Sequence, residues 1–361
     1  MRLPLLISLA ARLGAEIDLR QLADKALLDG PWTVTAGRPT LQIPVNDYYS
    51  EAPYWWPDRK DATAADIRRD GRRDGETNPN RFQANRQAFG KMSQGVLTLG
   101  MAAERWPKAG YAERGGEVVR VWFLRPATRM NPHLEYGQAV RGRNTGRGAG
   151  IIDTRDLIYA VQGIRLLETR HEFTAAEREG LRDWFRQYTR CLTTSKIGLA
   201  EKDSGNNHAN WWSAQVVSDA RYGGDEPMRR MVYALFRSTL APQQIRADGS
   251  APREESRIRS LSYSAFSLDA LAVVCYYAAF DGENLLEAGN LAEARRYLTP
   301  FPLNRSSWKK QQVIPLAAAD HFFRLLAGDK SSYAQLPPAS DVRHLFREKA
   351  INHGTTEIRK R

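Results

Sequence analysis

The chain has 361 residues, with 53 Lys+Arg against 41 Asp+Glu and a formal net charge of +12. Its 42% hydrophobic and 26% charged content is close to the globular average, which excludes a wholly disordered chain and leaves material for an extensive core. The positive balance calls for an acidic partner, but charge alone does not separate nucleic acid, membrane surface and acidic polysaccharide.

The N-terminal stretch "MRLPLLISLAARLGA" has one basic residue, a short apolar run and a small-x-small pattern at Ser8 to Ala10. It reads equally as a weak export signal or as the first helix, and residues 1–21 are set apart as an N-terminal segment. No run is expected to reach the roughly 18 apolar residues of a membrane span. Two long polar and aromatic connections follow, Asp47 to Phe82 and Pro126 to Asp153. Loops of that length in a compact domain are usually functional, and "DYYSEAPYWWPD" is too aromatic for disorder.

Where the apolar periodicity is clear it is helical. Leu157, Val161 and Ile164 recur at helical spacing within Asp156 to Glu168, and Leu181, Trp184, Phe185, Tyr188 and Leu192 mark one buried helix face. From Asp248 a turn, a Ser250 cap and Pro252 in the first turn introduce one long apolar-faced helix. Cys191 and Cys275 fall within such helical patterns and read as buried inert thiols; two cysteines make neither a disulfide framework nor a zinc site. Strand-like alternation is scarce. The expectation is an all-α chain in which helix pairs stack as a toroid or solenoid, one domain over 22–336, and a mobile tail over 337–361.

Four stretches carry chemistry. In "SGNNHANWWSA", a helix starting near Asn206 places Asn207 at its entrance beside His208, with Trp211 and Trp212 on or near the histidine's face. An uncharged amide donor beside an imidazole suits polarisation of a substrate carboxyl group. In "ESRIRSLSYSAF", Arg259 and Tyr263 are four apart and share a face, whereas Arg257 reaches the same place only if the helix starts late or distorts. A guanidinium can hold a carboxylate bidentately, and it favours negative charge on a neighbouring phenol. "MNPHLEYGQAVRGRNTGRGAGIIDTRDL" brings His133, Arg141, Arg143, Asn144 and Arg147 together among glycines that permit close backbone approach; without a phosphate-loop lysine it suits an anionic ligand rather than a nucleotide. Tyr54, Trp55 and Trp56, set between prolines, suit stacking on sugar rings.

"DYYSEAPYWWPD", "IRRDG" with "NPN" downstream, "RPATRMNPHLEYGQ", "GRNTGRGAGIIDTR", "GNNHANWW" and "RADGSAPREESRIRSLSYSAFSL" occur in the order in which the alginate lyase domain family shows similar blocks. The chain resembles that family from about Leu22 to about Leu326. The resemblance implies an (α/α) toroid that cleaves a uronate polysaccharide by β-elimination, with no cofactor and no metal. It places Asn207 and His208 on the family's Asn-His pair, Tyr263 on its catalytic tyrosine and Arg257 on the arginine before it, with Arg259 as second candidate. Arg141, Arg143, Asn144, Arg147, His133, Tyr54, Trp55, Trp56, Trp211 and Trp212 are then the expected substrate contacts. "ANWW" follows the histidine where the family often has Gly or a small polar residue, which bears on substrate choice.

The expected partner is an acidic uronate polymer, not nucleic acid, for which there is no recognisable module, and not a membrane; a monomer in the periplasm or outside the cell is the matching setting. Two alternatives remain open from sequence. A glycoside hydrolase would need a carboxylate pair drawn from Glu135, Asp153 and Glu201, and a non-catalytic binding protein would keep the arginines and aromatics without needing Tyr263.

Overall fold

The computed structural model describes residues 19–61, 63–68, 77–257 and 260–298. The expected leader up to residue 18, the tail from 337 and the second arginine candidate, Arg259, lie outside the described residues.

Helices dominate. A helix over 19–28 (α1) leads into the first long loop, which holds three short strands, β1 (Tyr49–Glu51), β2 (Trp55–Trp56) and β3 (Ile67–Arg68). Then come α2 (Ala84–Arg105), α3 (Tyr111–Val119) with a π turn over Arg120–Leu124, strand β4 (Tyr136–Ala139) and a 3-10 segment Gly148–Thr154. The rest is α4 (Leu157–Thr169), α5 (Ala175–Thr194), α6 (Lys196–Lys202), α7 (Asn207–Gly223), α8 (Glu226–Leu235), α9 (Ala241–Gln244), α10 (Pro252–Glu255), α11 (Ser260–Phe280) and α12 (Leu291–Leu298).

Local chemistry accounts for the best-formed elements. Thr174 and Glu177 close a reciprocal capping box at the start of α5, and the buried face of that helix contains all five residues of the expected apolar stripe. On α7 every residue but His208 and Arg221 is buried, because α4, α5, α8 and α11 all pack around it. A helix buried on all sides must satisfy its polar side chains internally. Asn210 exchanges hydrogen bonds with Gln244 and donates to Ser267, Gln215 accepts from Thr154, and Ser218 pairs with the Tyr277 hydroxyl.

Close approach of α2 and α4 depends on glycine. A Cβ on Gly163 would lie 2.5 Å from the Val96 carbonyl oxygen and 2.6 Å from the Leu97 nitrogen, both backbone atoms that have nowhere to move. Gly163→Ala is therefore expected to destabilise the fold by about 1–3 kcal/mol through overpacking. Each kcal/mol lost lowers Tm by about 2–4 °C. An alanine variant that melts with the wild type would show that the two helices are not held this closely.

The two long loops are stitched together rather than irregular throughout. Parallel β1 and β4 pair with Tyr49 opposite Tyr136 and Glu51 opposite Ala139, while β2 and β3 form an antiparallel ribbon with Trp55 opposite Arg68. One apolar cluster runs from Ala23 to Leu298 beneath them.

Three sequence expectations are corrected. The single helix from residue 250 onward is two helices: Ser250 caps nothing and instead binds Asp248, Ala251 is the N-cap of α10, and the helix ends at Glu255 before α11 starts. Secondly, Tyr263–Phe280 is long and apolar enough to cross a membrane, with mean hydropathy 1.3, but 72% of it is buried inside the protein, as expected of a core helix. Cys275 is buried, and burial pushes its thiol up, whereas Cys191 is only half-buried.

Candidate active site

The site forms where the N-terminal ends of α7 and α11 meet α6, α10 and the first loop. Asn206 caps α7, its side chain accepting from the His208 backbone N–H at 3.0 Å. That fixes the next two side chains at the helix entrance. The Asn207 backbone N–H donates to Glu254 Oε1 at 2.6 Å, and its Nδ2 donates to Oε2 of the same carboxylate at 2.8 Å. Glu254 thus places negative charge on the positive end of α7 while orienting the amide. Burial holds the Glu254 carboxyl above the ordinary glutamate range, against the opposing pull of the Asn207 bonds and the Arg257 and His208 charges. One Nδ2 hydrogen of Asn207 is committed to Glu254, and the second has no partner among the described residues. The buried Oδ1 has no hydrogen-bond partner among the described residues.

His208 is the one site residue on α7 that keeps partial exposure, 24% of its side chain. Its Nδ1 lies 2.6 Å from Oε1 of Glu201, a residue of α6 that is only 2% exposed. A buried carboxylate on Nδ1 fixes the ring orientation and leaves Nε2 as the working nitrogen. Burial raises the Glu201 carboxyl above its usual value, with His208 and Arg147 pulling the other way. Arg147 reaches this neighbourhood because Gly148 lets the loop pack on α6: a Cβ there would sit 3.0 Å from the Glu201 nitrogen. Arg147 Nη2 also donates to Gln138 Oε1 at 2.7 Å, and Gln138 Nε2 donates to the buried Asp153 at 3.0 Å.

Tyr263 lies in the first turn of α11. The Arg257 Nη2 donates to its hydroxyl oxygen at 3.1 Å, and the Arg257 guanidinium carbon lies 4.1 Å from its ring centroid. The break after α10 is what permits this: on a continuous helix, residues six apart would face different sides. The hydroxyl of Tyr54, from the first loop, lies 2.9 Å from that of Tyr263. A phenol oxygen that accepts from a guanidinium and touches a second hydroxyl is arranged to carry negative charge and to pass a proton.

The alginate lyase family model matches residues 44–308, which contain every side chain just described. The chain belongs to the alginate lyase family. It is therefore a polysaccharide lyase by family. Among solved structures it is similar to an alginate lyase from Bacteroides ovatus at 30% identity, with 93% of each chain covered and a TM-score of 0.83. The apo form of a histidine-to-alanine variant of alginate lyase A1-III matches at 17% identity over 88% of this chain and 86% of that one, with a TM-score of 0.50, a likeness of fold alone. No curated protein matches the chain. The expected all-α architecture agrees with the family's structures.

Within this family member, the structure brings Asn207, His208, Arg257, Tyr263, Tyr54 and Arg147 together. Trp211 and Trp212 are not substrate contacts: they are 3% and 1% exposed, Trp211 lying 4.9 Å from the Phe266 ring and Trp212 donating to the Leu192 carbonyl. A helix buried on all sides leaves both indoles in the core. Arg141 bonds Asp66 at 2.8 Å, while Arg143 donates to the Asp66 carbonyl and lies 5.1 Å from the Trp55 ring, so these two brace the β2–β3 ribbon. Asn144 accepts from the Val140 N–H, a turn-holding contact, and His133 sits 3.1 Å from Asp47. Trp55 and Trp56 are half-buried on β2. The glycines of the second loop serve chain packing rather than ligand approach, Gly150 lying against Gly137 and Gly146 against Glu135. Glu254 and Gln138 had no sequence signal, because a structural glutamate or glutamine is identified only by the partner that folding brings to it.

Proposed function

We propose that this enzyme cleaves alginate, or a closely related uronate polymer, by β-elimination, leaving a 4,5-unsaturated uronate at the new non-reducing end. Removing the weakly acidic C5 proton of a uronate builds negative charge on its carboxyl group, so that group must be hydrogen-bonded first. Asn207, through its uncommitted Nδ2 hydrogen, and His208, through Nε2, are assigned that task, with Arg147 beside them. Tyr263, its oxygen held by Arg257, takes the C5 proton and returns a proton to the departing glycosidic oxygen in a syn elimination. For the opposite C5 configuration His208 is the base and Tyr263 the acid. Water is not consumed.

The observation that carries this reading is the Arg257–Tyr263–Tyr54 hydroxyl cluster beside the Asn207–His208 helix entrance. A hydrolase would need two carboxylates facing a shared space. Asp153 instead accepts from Tyr48, Ser50 and Gln138 in the interior, Glu135 is exposed, and Glu201 is engaged with His208. A panel of polymannuronate, polyguluronate and glucuronan, followed by ultraviolet absorbance of the conjugated product, tests the proposal directly. Absorbance should rise with one or more of these polymers. Chain shortening without absorbance would mean hydrolysis.

Because the substrate is a polyanion and the site carries Arg147 and Arg257, KM is expected to rise with ionic strength while kcat holds. A KM that stays flat from low to moderate salt would remove the electrostatic part of the account.

A further inference from the structure

A cavity of about 1110 Å3 opens at the other end of the helical bundle from the candidate active site. It is lined from α4, α5, α7, α8 and the end of α11, through residues that include Arg165, Arg182, Tyr222 and Arg229. Ser218 and Tyr222 lie 11 and 15 residues along α7 from Asn207. At 1.5 Å per residue that puts the cavity about 20 Å from the candidate active site.

Most of its charge is internally matched. Arg221 and Arg229 both hold Asp281, at 2.6 and 2.7 Å, and the Tyr233 hydroxyl also donates to that carboxylate. Arg230 pairs with Glu226 at 2.6 Å, and Tyr222 donates to Glu168 at 3.0 Å. Two guanidiniums are left over. Arg165 is half-buried with no hydrogen-bond or ion-pair partner among the described residues, and Arg182 has only the exposed Glu179 at 3.9 Å. Both lie near enough to Tyr222 to act on its phenol electrostatically. A partly desolvated guanidinium without a counter-ion, as at Arg165, is costly, and with Arg182 lining the same cavity from a second helix packed on α7 the two make a receptor for planar or tetrahedral oxyanions. The volume exceeds that of an ordinary drug-sized pocket, so there is room for more than a single ion.

We propose that this cavity is a second binding site, in which Arg165 and Arg182 hold an oxyanion: the carboxylate of a short uronate oligosaccharide or a free phosphate. Binding there needs no turnover, so the proposal stands apart from the elimination chemistry.

The test is equilibrium titration of the full chain with two probes, inorganic phosphate and an unsaturated diuronate. Arg182 sits at the rim with 40% of its side chain exposed, so Arg182→Glu is expected to fold normally. It should weaken one saturable binding event by roughly ten- to a hundred-fold, the loss of a charge-assisted bond. Arg165→Ala should weaken the same event, Arg165→Lys should restore part of it, and Tyr263→Phe should leave it unchanged. Response to phosphate alone would identify a free-anion site, and response to both probes a saccharide site. Equal affinities in the wild type and Arg182→Glu, or no saturable event beyond the one sensitive to Arg257 and His208 variants, would overturn the proposal. Elimination assayed on the same proteins would separately report on the catalytic reading.

Discussion

Replacing Tyr263 by phenylalanine is expected to cut turnover by at least about 100-fold, the usual contribution of a positioned acid-base group, while leaving polymer binding nearly intact. The substitution removes one oxygen and little volume, so the first turn of α11 should keep its packing. The lost oxygen is the one that accepts from Arg257 and meets Tyr54, so the change deletes the meeting point of the cluster rather than one of its supports. Arg257 remains stacked near the ring and continues to supply positive charge to the site. The measurement is kcat and KM on the best polymer of the panel, with a separate binding titration and a melting curve. A folded variant that binds and still eliminates at near wild-type rate would make the Arg257–Tyr263 contact structural only. His208→Ala gives a less clean reading, because it leaves the buried Glu201 carboxylate without its partner as well as removing the imidazole.

The parts of this protein that were legible in its sequence are those governed by short-range periodicity. The α5 stripe from Leu181 to Leu192 and the α4 residues Leu157, Val161 and Ile164 fell on buried faces because a helix repeats every 3.6 residues wherever it packs. A helix starting near Asn206, with Asn207 and His208 at its entrance, followed from similarly local logic. Periodicity failed at residues 250–260, where a proline-started helix of four residues ends and a second begins; both halves carry helical signals, and nothing local marks the break. That break puts Arg257 on Tyr263. Burial was also misjudged where identity suggested exposure. Adjacent tryptophans resemble a sugar platform, but α7 is enclosed by α4, α5, α6, α8 and α11, so Trp211 and Trp212 had no exposed face to occupy. The arginines of the second loop divided for a similar reason: Asp66, from the first loop, captures Arg141 and Arg143, and only folding brings that aspartate to them.

Glu201→Gln should cost at least roughly 10-fold in turnover, the lower end of what loss of a carboxylate that orients a histidine costs, without loss of stability. Glutamine can still accept a hydrogen bond from Nδ1 but brings no charge to steady an imidazolium, and its amide group can equally turn to offer a donor that disfavours the correct tautomer. The stability side follows from burial. Because the folded protein holds the Glu201 carboxyl above its unfolded value, the folded state binds that proton more tightly than the unfolded chain. Ionising it therefore opposes folding: the penalty is absent below the unfolded value and grows as pH rises through the folded one. At neutral pH the penalty is present in the wild type and absent in the glutamine variant, whose Tm should match or exceed the wild-type value. Activity runs the opposite way, since the ionised carboxylate is the form that holds His208. The wild-type acid limb should lie above the ordinary glutamate range, falling away as Glu201 takes up its proton, and this limb should be missing from the variant's flatter profile. Such a trade of stability for activity is usual where a charge is kept buried for chemistry. Paired pH–rate profiles and melting curves distinguish the outcomes. Should Glu201→Gln melt earlier than the wild type and retain full turnover, Glu201 is a packing residue and His208 works without it.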